Sequence, residues 1–121
     1  MPRIVHFEIM SDDPEELAKF YGNVFGWKFN KWQGPVEYWL VTTGTDGPGI
    51  NGGFMRRMPE APPVINTLDV PDLERYREKV KSAGGTMVTD KMAVAGVGWF
   101  CYFKDPDGNV HGIMQPDESA K

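Results

Sequence analysis

Residues 3–27 read RIVHFEIMSDDPEELAKFYGNVFGW, and this stretch decides the fold. Its first part alternates as a strand over residues 3–10. Val5, Phe7 and Ile9 take one face, and Ile4, His6, Glu8 and Met10 take the other. Ser11-Asp12-Asp13-Pro14 then opens a helix. Asp13 caps it, Pro14 suits its first position, and Glu16 stands three residues after the cap. Leu17, Phe20, Tyr21 and Val24 form its buried stripe, and Gly26 stops it. Moved forward by 59 residues, the same punctuation recurs. Val5 falls on Val64, Ile9 on Leu68, Glu15 on Glu74, Leu17 on Tyr76, Gly26 on Gly85, Gly53 on Gly112 and Met55 on Met114. One offset carries strand, helix, glycine stop and closing strand, which predicts two copies of one unit around a shared cavity.

Outward from that stretch, Trp27–Trp32 and Val36–Thr43 read as strands joined at Gln33-Gly34-Pro35, followed by a loop at Gly44–Gly49. Ile50–Arg56 is a fourth strand. Gly52-Gly53 in its middle signals a bulge or a close approach of a ligand or another backbone. A proline-rich linker covers residues 57–63. The second half then gives a strand at Val64–Val70 and a helix at Pro71–Ala83 with Leu73, Tyr76, Val80 and Ala83 inward. Gly84-Gly85 stops that helix, and strands follow at Thr86–Asp90, Gly98–Lys104 and Asn109–Gln115. Asp105-Pro106-Asp107-Gly108 is a turn signal. Gly49–Gly53 and Met92–Gly98 read as mobile flaps, and residues 116–121 as a loose tail. The expected class is α+β: one domain over residues 1–121, made of two βαβββ modules at 3–56 and 64–115.

Composition bounds the function. With 121 residues, four Trp and seven Phe, the chain can build a real core. Its net charge of −4 and the lack of a basic stripe argue against nucleic acid. No apolar run approaches the roughly 20 residues that span a bilayer, and the first ten residues do not read as a signal peptide. Cys101 is the one cysteine, so no intrachain disulfide forms, as suits a reducing compartment. It reads as a buried structural thiol. The expected location is the cytoplasm.

Three segments carry a family resemblance: His6-Phe7-Glu8-Ile9, then Phe20-Tyr21-Gly22-Asn23-Val24-Phe25-Gly26-Trp27, then Asp105-Pro106-Asp107-Gly108-Asn109. Over residues 3–115 the chain resembles the vicinal oxygen chelate superfamily, which includes glyoxalase I, bleomycin-resistance proteins and extradiol dioxygenases, and within it the glyoxalase-like proteins. The resemblance implies sheets curled around a cavity, a homodimer, and one divalent ion held by four strand positions. In this chain those positions are His6, Gly53, Ile65 and Gly112. The ion's usual work is to chelate neighbouring substrate oxygens and stabilise an enolate or oxyanion. Only His6 keeps a donor side chain, whereas a catalytic divalent site needs about three protein ligands. No cofactor is therefore expected, and a divalent metal stands as the alternative.

Without a metal, the expected cavity face carries His6, Glu8, Met10, Gly53, Met55, Ile65, Thr67, Gly112 and Met114. The glycines leave room, the methionines give adaptable walls, and His6 with Glu8 makes one polar corner. Trp39, Trp99, Phe100 and Tyr102 lie on flanking strands, about half of them facing in, while His111 points away. The leading reading is a binder of a small apolar or aromatic ligand. The alternative is a glyoxalase/lyase- or dioxygenase-like enzyme. It would use His6 and Glu8 as acid and base, or a reduced metal site. A third reading is an interaction module whose partner is an identical subunit.

Overall fold

The computed structural model describes residues 1–121 and gives a mixed α+β fold of nine strands and two helices. It divides into two compact units, residues 6–65 and residues 66–121 with 1–5.

The N-terminal unit is built from β1 (Ile4–Ser11), α1 (Pro14–Phe25), β2 (Lys28–Lys31), β3 (Trp39–Thr42) and β4 (Asn51–Arg56). β4 runs parallel to β1 from His6↔Asn51 to Ser11↔Arg56. β3 is antiparallel to β4, with Leu40 opposite Gly53, and β2 is antiparallel to β3. The pairing of β1 with β4 is continuous, so Gly52-Gly53 makes no bulge. α1 starts where the chain announces it: Asp13 Oδ1 accepts the Glu16 amide at 3.3 Å and Pro14 occupies the first turn. Gly26 closes it in the left-handed region at φ 74°, donating its amide to Gly22 O. The core between α1 and the sheet holds Trp39, Val41 and Phe54, with Phe7, Ile9, Leu17, Ala18, Tyr21, Trp27 and Phe29 against them. A fully buried side chain such as Phe54 contributes about 2 kcal/mol.

The stripe of α1 differs from expectation. Phe20 and Val24 are exposed, and Ala18 packs inward with Leu17 and Tyr21. Trp27 folds back and stacks on Tyr21 with centroids 4.8 Å apart, filling the space beside the last turn. The expected flap at Gly49–Gly53 is also corrected, because residues 51–53 are paired strand. The linker is tied to β1 at both ends. Arg57 donates its amide to Ser11 O, and Met10 donates its own to Pro63 O, each at 2.9 Å.

The second unit takes in β5 (Val64–Asp69), α2 (Leu73–Ser82), β6 (Thr86–Met87), β7 (Met92–Val94), β8 (Gly98–Lys104) and β9 (Val110–Pro116). β9 is parallel to β5 and antiparallel to β8, and β8 carries β6 and β7 on its other side. Val70, Leu73, Cys101 and Ile113 are its core, with Leu68, Tyr76, Met87, Trp99 and Phe103 packed on them. Burial pushes the Cys101 thiol pKa up, against the opposing effect of Arg77, so it stays a thiol. Asp72 caps α2 through the Arg75 amide, and the Gln115 side chain accepts the Leu73 amide at 2.9 Å. The turn at Asp105 forms around its carboxylate, which accepts the amides of Asp107 and Asn109 at 2.9 Å each.

Four expectations for this half are corrected. Thr86–Asp90 is a strand only at Thr86–Met87. Met92–Gly98 is no flap: β7 and β8 form a hairpin around Gly96, which sits at φ 75°. Residues 116–121 are no loose tail, since Ala120 is 3 % exposed and its carbonyl accepts the Gly96 amide at 2.9 Å. Ala83 is exposed because it caps α2, donating its amide to Lys79 O, and so does not line the core.

Candidate functional site

Strand alternation and register sort the candidate residues by face. Around β1, β3 and β4, the residues against α1 are Phe7, Ile9, Trp39, Val41 and Phe54. His6, Glu8 and Met10 therefore share the opposite face, and Gly53 and Met55 lie there on β4 beside Glu8 and Met10. In the second unit, Leu68, Cys101, Ile113, Trp99 and Phe103 face α2. Thr67, Phe100, Tyr102, Gly112 and Met114 take the other face, and Ile65, the last residue of the first unit, follows the same alternation along β5. Trp39 and Trp99 thus sit in the two helix-side cores, not with the other candidates. His111 stacks on Phe103, 5.9 Å away.

The chemistry of the N-terminal unit gathers on His6. Its Nε2 shares a hydrogen bond of 2.7 Å with the Tyr38 hydroxyl, and the two rings lie nearly parallel at 16°. Burial holds the His6 pKa below its ordinary value, while the charge of Glu8 acts the other way. The imidazole is therefore neutral at neutral pH, able to donate through one nitrogen and accept through the other. Glu8 is itself buried at 7 % exposure on the same strand face.

Tyr38 went unnoticed in the sequence, yet it organises this corner. Its ring rests on Gly53, in the space that a β-carbon there would fill. The loop before it is built to hold it. Trp32 donates its amide to Tyr38 O at 2.8 Å, and the Trp32 ring packs on Gly34 and meets Tyr38 edge-on. The glycines of β4 are thus explained by close approach: Gly52 by the Phe7 backbone and ring, Gly53 by Tyr38.

A parallel arrangement stands in the second unit. The Phe100 ring covers Gly112, where an added β-carbon would lie 2.6 Å from its Cζ and 2.8 Å from Thr67 Oγ1. Phe100 meets Tyr102 edge-on with centroids 4.7 Å apart. Thr67 is 3 % exposed, and its hydroxyl has no hydrogen-bond partner. Strand pairing, not the fixed offset, relates Tyr38 to Phe100. Leu40 faces Gly53 and Tyr102 faces Gly112, an offset of 62 where the glycines are offset by 59. The gapless alignment is corrected accordingly. The β3–β4 connection spans residues 43–50 and the β8–β9 connection 105–109, three residues fewer.

The donor set does not fit a three-ligand divalent centre. No three His, Cys, Asp or Glu side chains converge anywhere in the chain. Of the four positions in question, Gly53, Ile65 and Gly112 carry no donor, and the remaining one, His6, gives its Nε2 to Tyr38. A surface recess does exist along α2, lined by Arg75, Glu78, Lys79, Ser82 and Ala83, none of them a candidate residue. No helix is long and apolar enough to cross a membrane.

Comparison with known proteins bears on the fold and the family. The chain is 32 % identical over 117 residues to a glyoxylase-like domain-containing protein of Didymella fabae, covering 92 % of this chain and 91 % of that one. Among solved structures it superposes on a hypothetical protein of Bacillus halodurans with a TM-score of 0.74 at 14 % identity, covering 99 % and 98 % of the two chains. It also superposes on the methylmalonyl-CoA epimerase of Mycobacterium tuberculosis with a TM-score of 0.73 at 14 % identity, covering 94 % and 87 %. At these identities the structures speak for the fold alone. The family model for the Glyoxalase/Bleomycin resistance protein/Dioxygenase superfamily matches residues 3–112, and the chain belongs to that superfamily.

Proposed function

We propose that this chain binds a small, mostly apolar or aromatic molecule without a metal, and that the His6–Tyr38 pair anchors its one polar group. The observation that carries this reading is the position of Tyr38, which covers Gly53 and engages His6 Nε2. A former ligand corner has become an aromatic floor with a neutral hydrogen-bonding pair. Met10 and Met55, paired on the same strand face as His6, supply adaptable walls. A pocket of this composition favours a neutral ligand with few polar atoms. The homodimer implied by the superfamily belongs to the same reading, and a monomer at micromolar concentration by light scattering would remove it.

The test uses protein purified without an affinity tag and treated with chelator, screened by thermal shift against small neutral aromatic compounds. A saturable rise in Tm that survives chelation and weakens about tenfold in Tyr38→Phe supports the reading, the size expected for one buried hydrogen bond. A stoichiometric divalent ion, lost on His6→Ala together with the thermal shift, overturns it.

One observation favours a second reading. Glu8 is a buried carboxylate on the His6 face, the combination that proton abstraction beside a carbonyl requires. Since methylmalonyl-CoA epimerase shares the fold, the assay to run is deuterium exchange at the carbon next to a thioester carbonyl. Exchange abolished by Glu8→Gln, with the fold intact, would put this reading first.

A further inference from the structure

Beyond the His6–Tyr38 reading just given, and within the second unit alone, we propose that Thr67, Gly112 and Phe100 form a separate closed subsite. In it the Thr67 hydroxyl anchors one oxygen of a neutral ligand, and the Phe100 ring is a displaceable cover. The first support is the Thr67 hydroxyl itself. It is buried with 3 % of the residue exposed, and it has neither a protein donor nor a protein acceptor. Such a group costs free energy in the resting fold, and a ligand oxygen would satisfy it. The second support is what lies over it. Phe100 rests on Gly112, a residue without a side chain, so the ring covers backbone that it could vacate. The third is what flanks the ring. In the sheet Phe100 stands between Met92 of β7 and Met114 of β9, two flexible thioether side chains that can yield when it turns.

The named walls of the subsite, Phe100, Gly112, Met114 and the Tyr102 ring against Phe100, carry no charge. The chemistry it recognises is therefore a flat, uncharged molecule with one hydroxyl or carbonyl oxygen. A threonine hydroxyl both donates and accepts, so either oxygen type is served. Phenol is a suitable probe, and toluene is its control of the same shape without the oxygen.

The experiment follows the Thr67 methyl and the His6 ring by NMR during titration with phenol and with toluene, in the wild type and in Thr67→Val, Phe100→Leu and the double variant. The expected result has three parts. Thr67→Val raises the ligand-free Tm, because an isosteric methyl replaces an unsatisfied hydroxyl. Phe100→Leu, which keeps apolar bulk and retracts the cover, tightens phenol binding several-fold. Adding Thr67→Val to Phe100→Leu then weakens phenol about fivefold and leaves toluene unchanged. A lowered Tm in Thr67→Val, or equal phenol affinity in the single and double Phe100→Leu variants, overturns the proposal. Phenol that shifts His6 but leaves Thr67 unmoved overturns it too, while the His6–Tyr38 reading stands. Phenol that moves neither residue removes both.

Discussion

The two units place an aromatic ring on a glycine in the same way and finish the polar chemistry differently. In the first, Tyr38 covers Gly53 and its hydroxyl reaches His6. In the second, Phe100 covers Gly112, and the nearest polar atom, Thr67 Oγ1, is buried without a partner. At the 59-residue offset His6 corresponds to Ile65, and Glu8 to Thr67. One unit thus holds a titratable, hydrogen-bonded corner, and the other a mostly apolar one in which the Thr67 hydroxyl is buried without a partner. Packing solves the same geometric problem twice, and the difference in chemistry lies in the Tyr38 hydroxyl and the His6 imidazole.

The comparison is most easily broken at the glycines, where the largest effect is expected. Gly112→Ala sets a methyl against the Phe100 ring and also against Thr67 Oγ1, whose β-branched side chain is stiff and sits on the paired strand β5. It should destabilise by about 3 kcal/mol. The three atoms nearest a Gly53→Ala methyl all lie at the far end of Tyr38, and the change should cost about 1 kcal/mol, near the low end for overpacking. Denaturant unfolding of the two variants measures both, and equal costs would mean that the two rings are held alike.

A middle-sized effect sharpens the contrast. Tyr38→Phe makes the first unit resemble the second and leaves His6 without its hydroxyl, at about 1–2 kcal/mol. The smallest effect is the pH dependence. The folded pKa of His6 lies below its unfolded value of 6.5. As pH falls below that value, the unfolded chain binds a proton that the fold resists, so stability is lost from about pH 6.5 downward. The Tm should therefore be lower at pH 5.5 than at 7.5, and His6→Gln should flatten that part of the profile. The counterpart Ile65 has nothing to titrate, so a slope that persists in His6→Gln would place its source outside this corner.

Much of the fold was legible because it is written in local chemistry. Asp13 with Pro14, Gly26, and the turn at Asp105–Gly108 each act through their nearest neighbours. Alternation along β1, β4, β5 and β9 likewise assigns faces without knowledge of the partner strand. What was hidden depends on pairing. Tyr38 lies just before β3, and a fixed offset of 59 matches it to Val97, because the two sheet connections differ by three residues. Trp39 and Trp99 could be assigned to a face only once their partners across the sheet were known. Phe20 and Val24 fit the helical period, yet Trp27, outside the helix, stacks on Tyr21 and packs half-buried against the core. Ala120 is buried by a hairpin at Gly96 that no local signal joined to it.

The ties of the linker to β1 have a consequence of their own. Arg57 and Pro63 return to Ser11 and Met10, adjacent residues of one strand, so the segment between them is a closed ring whose ends are fixed by two backbone bonds. Ring closure depends only logarithmically on contour length, and doubling such a loop adds about 0.6 kcal/mol. Length here is nearly free, whereas the φ of 69° at Glu60 is the one strained non-glycine turn in the chain. Evolution can vary this perimeter widely while the strand that carries His6 and Glu8 keeps its register.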